Sequence, residues 1–96
     1  MPLIYSEAAA DELADAAAFY EAHRPNLGER FLQAVTAAER LIREYPEAWP
    51  RGPGGCRTCG LRDFPYRLWF TCEGESTLVL AVAHTSWRPG YWHDRG

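Results

Sequence analysis

Lysine is absent from this 96-residue chain, and all ten of its permanently cationic side chains are arginines. Arginine keeps its charge at any accessible pH and offers a planar fork to anions, but it is a poor carrier of protons. Long apolar runs are missing too. Nothing approaches the 18 or so consecutive apolar residues that a membrane-spanning helix needs. The opening "MPLIYSEAAADELAD" has no basic stretch leading into an apolar core, so no secretory signal and a cytoplasmic location are expected. Cysteine is scarce and odd in number (Cys56, Cys59 and Cys72), which points to reduced thiols rather than a disulfide framework. A strong basic excess is also lacking. The net charge is −3 and the pI about 5.5, which argues against a general nucleic-acid coat protein.

The charge is unevenly divided. Residues 1–48 carry nine acids against four arginines, and residues 49–96 carry four acids against six. The second half can therefore hold a small anion-facing site. An apolar fraction of 47% with 14% aromatics is that of a folded globule, and the length fits a single domain over residues 1–96.

Hydrophobic periodicity divides the chain. "LIYS" (3–6) reads as a short strand, with Ser6 placed to cap the helix after it. In that helix, residues 7–23, Ala9, Leu13, Ala16 and Tyr20 recur at helical spacing. Asp11, Glu12 and Asp15 are assigned to a solvated face. After "RPNLG", Asn26 and Glu29 have the spacing of a capping box. Phe31, Val35, Ala38, Leu41, Ile42 and Tyr45 then form a second stripe that ends before Pro46. Together these make an antiparallel helical hairpin over about residues 7–45.

Residues 46–55, with three prolines and three glycines, form a loop. From there the period becomes that of strands. "CRTCGL", "PYRLWFTC" and "TLVLAVAH" supply a sheet over about residues 56–85, with "EGES" as a turn and residues 86–96 as a tail. The last strand is apolar on both parities (Leu78, Leu80, Val82 and Val79, Ala81, Ala83), as in a central strand covered on both faces. The expected fold is α+β, ordered β-α-α-β-β-β, with the hairpin on one face of a small antiparallel sheet.

Five stretches in this order, "LGERF", "WP", "RDFPYRLWF", "LAVAH" and "RPGYWHDR", resemble the RelE/ParE family of small toxins from bacterial type II toxin–antitoxin pairs. The likeness is greatest to the ParE-like branch and covers about residues 3–95. It implies the same β-α-α-β-β-β fold, a cognate antitoxin as partner in a hetero-oligomer, no cofactor and no membrane. The targets it implies are DNA gyrase for ParE-like members and messenger RNA on the ribosome for RelE-like ones.

Metal-free RNA cleavage needs a proton carrier and phosphate-stabilising groups around one phosphate. Carried over from RelE-like members, that set would be Arg67, Arg88, Tyr91 and His84. It is depleted here. Thr58 and Gly60 stand where a lysine-bearing strand is expected, leaving Arg57 as its only cation. Ser86 and Trp87 stand where the family usually places cations. His84 and His93 are the tail's only obvious proton carriers. The favoured reading is therefore a non-enzymatic, growth-inhibiting, ParE-like poison of gyrase. The alternative is a ribosome-dependent endoribonuclease, and the third reading is a degenerate toxin that only binds.

For binding, Arg57, Arg67, Trp69, Trp87, Arg88, Tyr91 and Arg95 are the partner-facing candidates. Strand pleating puts Arg67 and Trp69 on the face opposite Phe64, Tyr66, Leu68 and Phe70. Each candidate has a plainer role open to it. Arg67 can pair with an acid on a neighbouring strand, His84 can hydrogen-bond at a strand end, and Tyr91 and Trp92 can close the core. Cys56 and Cys59, with Cys72 and His84, have the composition of a Cys₃His zinc set. Positions i and i+3 of a strand point to opposite faces, however, so no metal is expected.

Overall fold

In a computed structural model of the chain, which describes residues 2–88, 90–92 and 95, the elements follow the expected order. They are β1 (Leu3–Tyr5), α1 (Glu7–His23), α2 (Leu27–Glu44), β2 (Arg57–Gly60), β3 (Tyr66–Glu73) and β4 (Ser76–His84), with one 3-10 turn at Pro53–Gly55. The strands lie in the order β1-β4-β3-β2. β2 and β3, and β3 and β4, pair antiparallel through tight connections. β1, separated from the other strands by the whole hairpin, pairs with β4 in parallel, from Leu3 beside Thr77 to Tyr5 beside Val79, so the sheet is mixed rather than wholly antiparallel. Among the described residues no helix is long and apolar enough to cross a membrane.

Ser6 caps α1 as its residue type suggests, its hydroxyl accepting from the Ala9 amide at 3.1 Å. The start of α2 is made differently from the expected capping box. Asn26 adopts a left-handed conformation (φ 71°) and its side chain caps nothing. Glu21, reaching over from α1, accepts instead from the Asn26 and Gly28 amides, each at 3.0 Å. One carboxylate thereby satisfies two amides at a helix start and ties the helices together. Gly28 is needed there. A Cβ on it would lie 2.6 Å from the Ala17 carbonyl oxygen and 2.9 Å from Glu21 Cβ, so only a hydrogen fits between the helices.

The core lies between the hairpin and one sheet face. Ala9 and Ala16 of α1 and Phe31, Val35, Ala38 and Ile42 of α2 pack on Cys59, Tyr66, Leu68, Phe70, Val79 and Val82. Tyr20, Phe31, Phe64 and Tyr66 meet there ring to ring, mostly edge to face. β4 is buried on both sides, but its parity is not regular. The pairing with β3 shifts between Trp69 and Phe70, leaving Leu80 as an extra residue on β4. Val79 and Val82 both face the helices as a result, while Leu80, Ala81 and Ala83 face the other way. Simple alternation had placed Val82 with Leu80, and the bulge separates them.

The tail covers that second face. Trp92, 2% exposed, packs with Cys56, Leu80, Ala81 and Ala83 and stacks on Trp69 with ring centroids 4.4 Å apart. The outer edge of β2 is covered by the loop, through Thr58 N–H to the Pro50 carbonyl and Gly52 N–H to the Cys56 carbonyl.

Candidate functional site: the outer face of the sheet

Pleating sets Arg67 and Trp69 of β3 opposite Tyr66, Leu68 and Phe70, as expected. Because those three pack on the helices, Arg67 and Trp69 lie on the face away from them, which the sequence did not decide. With Ala83, His84, Trp87 and Trp92 they line a cleft of about 110 Å³. Arg67 finds no acid on a neighbouring strand. Its Nε donates to Thr58 Oγ1 at 2.9 Å, and its guanidinium lies over Gly60, the residue beside it on β2. The only ion pair among the described residues is Arg95–Glu12, which leaves Arg67 and the exposed Arg88 without a counter-ion there.

His84 sits at the end of β4 and lines the same cleft. Its Nδ1 accepts from the Ser86 amide at 3.0 Å and lies 2.7 Å from the Ser86 hydroxyl. The imidazole therefore carries its proton on Nε2 when neutral, and its ring is held by the turn that follows the strand. This is the plainer role foreseen for a strand-end histidine.

The second focus is Glu12. Assigned above to a solvated face, its side chain is only 15% exposed. Oε1 accepts from the Val82 amide at 3.0 Å and from Arg95 Nη1 at 2.9 Å, and Oε2 accepts from the Tyr91 hydroxyl at 2.7 Å. Arg95 also reaches the Leu80 carbonyl at 3.3 Å and lies over the Tyr91 ring. The cause is topological. β1 ends beside Val79, so beyond it the edge of β4 has no strand partner. Glu12 and Arg95 supply the missing acceptor and donor. Burial, then the hydrogen bond to Glu12 and its negative charge, pushes the Tyr91 phenol well above its ordinary pKa. Tyr91 is thus a held donor facing the α1 side of the tail. The Glu12 signal was present in the sequence, since position 12 falls three after Ala9 and four before Ala16, inside the buried stripe.

Arg57 is likewise occupied, donating to the Glu47 and Trp49 carbonyls at 3.0 and 2.9 Å and so fixing the loop. Of the partner-facing candidates, Arg57, Tyr91 and Arg95 are engaged in holding the fold, and Trp69 is half-buried beneath Trp92 and the Gly52 loop while still lining the cleft. Arg67, Trp87 and Arg88 are left to face outward. The four residues of the nuclease set do not converge. Arg67 and His84 share a cleft, Tyr91 is committed to Glu12, Arg88 is exposed, and His93 lies outside the described residues. Cys56 packs on the outer face and Cys59 in the inner core, the two-sided placement that prevents chelation, and burial raises the Cys59 thiol.

Comparison with known proteins bears on the whole arrangement. The family model described as "ParE toxin of type II toxin-antitoxin system, parDE" matches residues 3–88. The chain belongs to the ParE toxin family. No curated protein gives a significant match. Among solved structures it is similar to one described as the chromosomal ParDE TA system from P. aeruginosa. The TM-score is 0.63 at 21% identity, with 88% of this chain and 95% of that one covered, which supports the β-α-α-β-β-β fold.

The ParE family match stops at residue 88, whereas the packing does not. Trp92, Tyr91 and Arg95 lie beyond it and complete the second face and the Glu12 hub. A further groove of about 390 Å³ runs between α1 and the end of β4. It is lined by Asp15, Phe19, Tyr20, Tyr66 and Trp87, with Phe19 and Trp87 exposed to 55% and 42%.

Proposed function

We propose that this ParE-family toxin acts in the cytoplasm by inhibiting DNA gyrase through binding, without catalysis, and that a cognate antitoxin neutralises it in a hetero-oligomer. The commitment of the Tyr91 hydroxyl to Glu12 carries the non-catalytic half of this reading. The absence of lysine from the chain and the engagement of His84 Nδ1 by Ser86 support the same reading. The net charge of −3 suits a protein target better than the phosphate-walled ribosome.

Arg67, Trp69, Trp87 and Arg88 are the residues proposed to face the target. The groove beside Phe19 and Trp87 is proposed for the antitoxin, as a segment that folds on binding. Purified protein should inhibit supercoiling by gyrase at micromolar concentration, and the product of an adjacent short reading frame should relieve the inhibition. Unimpaired supercoiling at micromolar excess would overturn the gyrase reading.

The endoribonuclease reading keeps one observation in its favour, that Arg67 and His84 share a cleft. Cleavage of messenger RNA in programmed ribosomes, lost on Arg67→Ala, is what it requires. A chain that binds its antitoxin yet affects neither gyrase nor translation is the degenerate case.

A further inference from the structure

We infer that the Arg67 cleft is a receptor for one carboxylate side chain, a Glu or Asp presented by a partner protein. The inference deepens the partner-facing reading of this sheet face and rests on it.

The cation is held ready. Thr58, itself 6% exposed, accepts from Nε at 2.9 Å, which fixes one edge of the guanidinium. Gly60 leaves the space the head group occupies, since a Cβ there would stand 2.9 Å from Nη1. The Nη1/Nη2 end is left without an acid among the described residues. That end is the fork that takes a carboxylate with two parallel hydrogen bonds. The walls are the stacked Trp69 and Trp92, with Trp87, Ala83 and, at the strand end, His84. They are suited to the methylenes of an acidic side chain, and their apolar surface lowers the local dielectric beside the fork, which strengthens a pair formed there.

Size and charge choose the ligand. At about 110 Å³ the cleft is well below the ~300–1,000 Å³ usual for small-molecule sites, so it accommodates a side chain and not a nucleotide. A single fixed arginine in a chain of net charge −3 is also a weak lure for a polyphosphate backbone. Arginine set among tryptophans is, by contrast, the composition of protein-interface hot spots.

The test uses the full chain, labelled with nitrogen-15, and follows the Arg67 Nε–H and the Trp69 and Trp87 indole N–H signals by NMR. The probes are acetyl-Leu-Glu-Leu-amide, its Gln counterpart, and the dinucleotide uridylyl-adenosine. The Glu peptide should shift these signals saturably, and the Gln peptide should bind about tenfold more weakly or worse, the loss expected for a charge-assisted pair.

Arg67→Gln should abolish the response, while Arg40→Gln, on the exposed side of α2, should leave it intact. Gly60→Ala keeps the arginine but displaces its head group, and should weaken the Glu peptide several-fold with signal dispersion unchanged. That variant keeps the test valid should Arg67→Gln unfold. Equal binding of the Glu and Gln peptides, no saturable shift, or a response that survives displacement of Arg67 would each overturn the inference. So would stronger binding of uridylyl-adenosine, which would assign the cleft to nucleic acid. The readout is independent of supercoiling, so failure of the gyrase reading and failure of this one are separable.

Discussion

Replacing Glu12 by alanine is the sharpest perturbation of this structure, because a solvated glutamate and a buried hub predict very different costs. Glu12 accepts three hydrogen bonds, from Val82 N–H, Arg95 and the Tyr91 hydroxyl. Val82 is fully buried, so its amide would lose its acceptor in a place water cannot easily reach, at about 1–3 kcal/mol. Arg95 and Tyr91 are half-buried and would be partly rehydrated, so their losses add only about 1–2 kcal/mol together. Glu12→Ala should therefore cost about 2–5 kcal/mol, with a midpoint of ~3.5 kcal/mol, a large share of the ~5–15 kcal/mol typical of a domain. At that midpoint the fall in Tm exceeds about 10 °C for a chain of this length.

Glu12→Gln should be far milder. Its amide oxygen can still accept from Val82 and Arg95, and its NH₂ can donate to a Tyr91 hydroxyl that rotates to accept. Only the charge assistance is lost, about 1 kcal/mol. Asp11→Ala and Asp15→Ala, on the exposed side of α1, should stay within about 0.5 kcal/mol. Urea denaturation of the four variants decides the matter, and a double-mutant cycle with Arg95→Ala isolates the ion pair. A Glu12→Ala cost no larger than that of Asp11→Ala would refute the hub.

Three further outcomes follow from the same packing. Gly28→Ala should destabilise by about 1–3 kcal/mol despite alanine's better helix propensity, because its methyl would press on the Ala17 carbonyl; a raised Tm would contradict this. The Tyr91 phenol titrates higher folded than unfolded, so its contribution is complete below about pH 10 and is lost as pH rises above that value. Stability measured from pH 8 to 11.5 should fall at the alkaline end, less so in Tyr91→Phe. Trp92→Ala should cost about 3–5 kcal/mol in urea denaturation, as for a buried aromatic, even though residue 92 lies outside the family-matched span.

Most of the fold was legible because local signals and packing agree. Both hairpin helices and all four strands stand where periodicity and turn residues place them, and Ser6 caps as expected. The departures share a cause, which is that a distant group overrode a local rule. Asn26 lost the capping role to Glu21, seven residues upstream of the Gly28 amide it also serves. The pairing shift beside Trp69 broke the alternation of β4, and nothing in "TLVLAVAH" marks a bulge. Arg57, Tyr91 and Arg95 looked outward-facing by type, but loop carbonyls and the unpaired end of β4 recruited them. Strand parity, the shortest-range rule of all, made it legible that Arg67 lies opposite Tyr66, Leu68 and Phe70, but which of the two faces the helices cover is decided by tertiary packing and was not.

The tail joins stability to the site. Trp92 seals the second face of the sheet by stacking on Trp69, and those two rings are also walls of the Arg67 cleft. Glu12 draws Tyr91 and Arg95 onto the edge of β4, and the Tyr91 ring in turn packs edge-on against Trp92 and Trp87. The cleft's walls are therefore held by a carboxylate on the opposite side of the sheet edge, one that never enters the cleft. A Glu12 variant that remains folded should then loosen the Trp87 and Trp92 walls and weaken carboxylate binding at Arg67 without touching the arginine. An independent surface site would instead leave Arg67 indifferent to Glu12, and unchanged carboxylate binding in a folded Glu12 variant would refute the coupling.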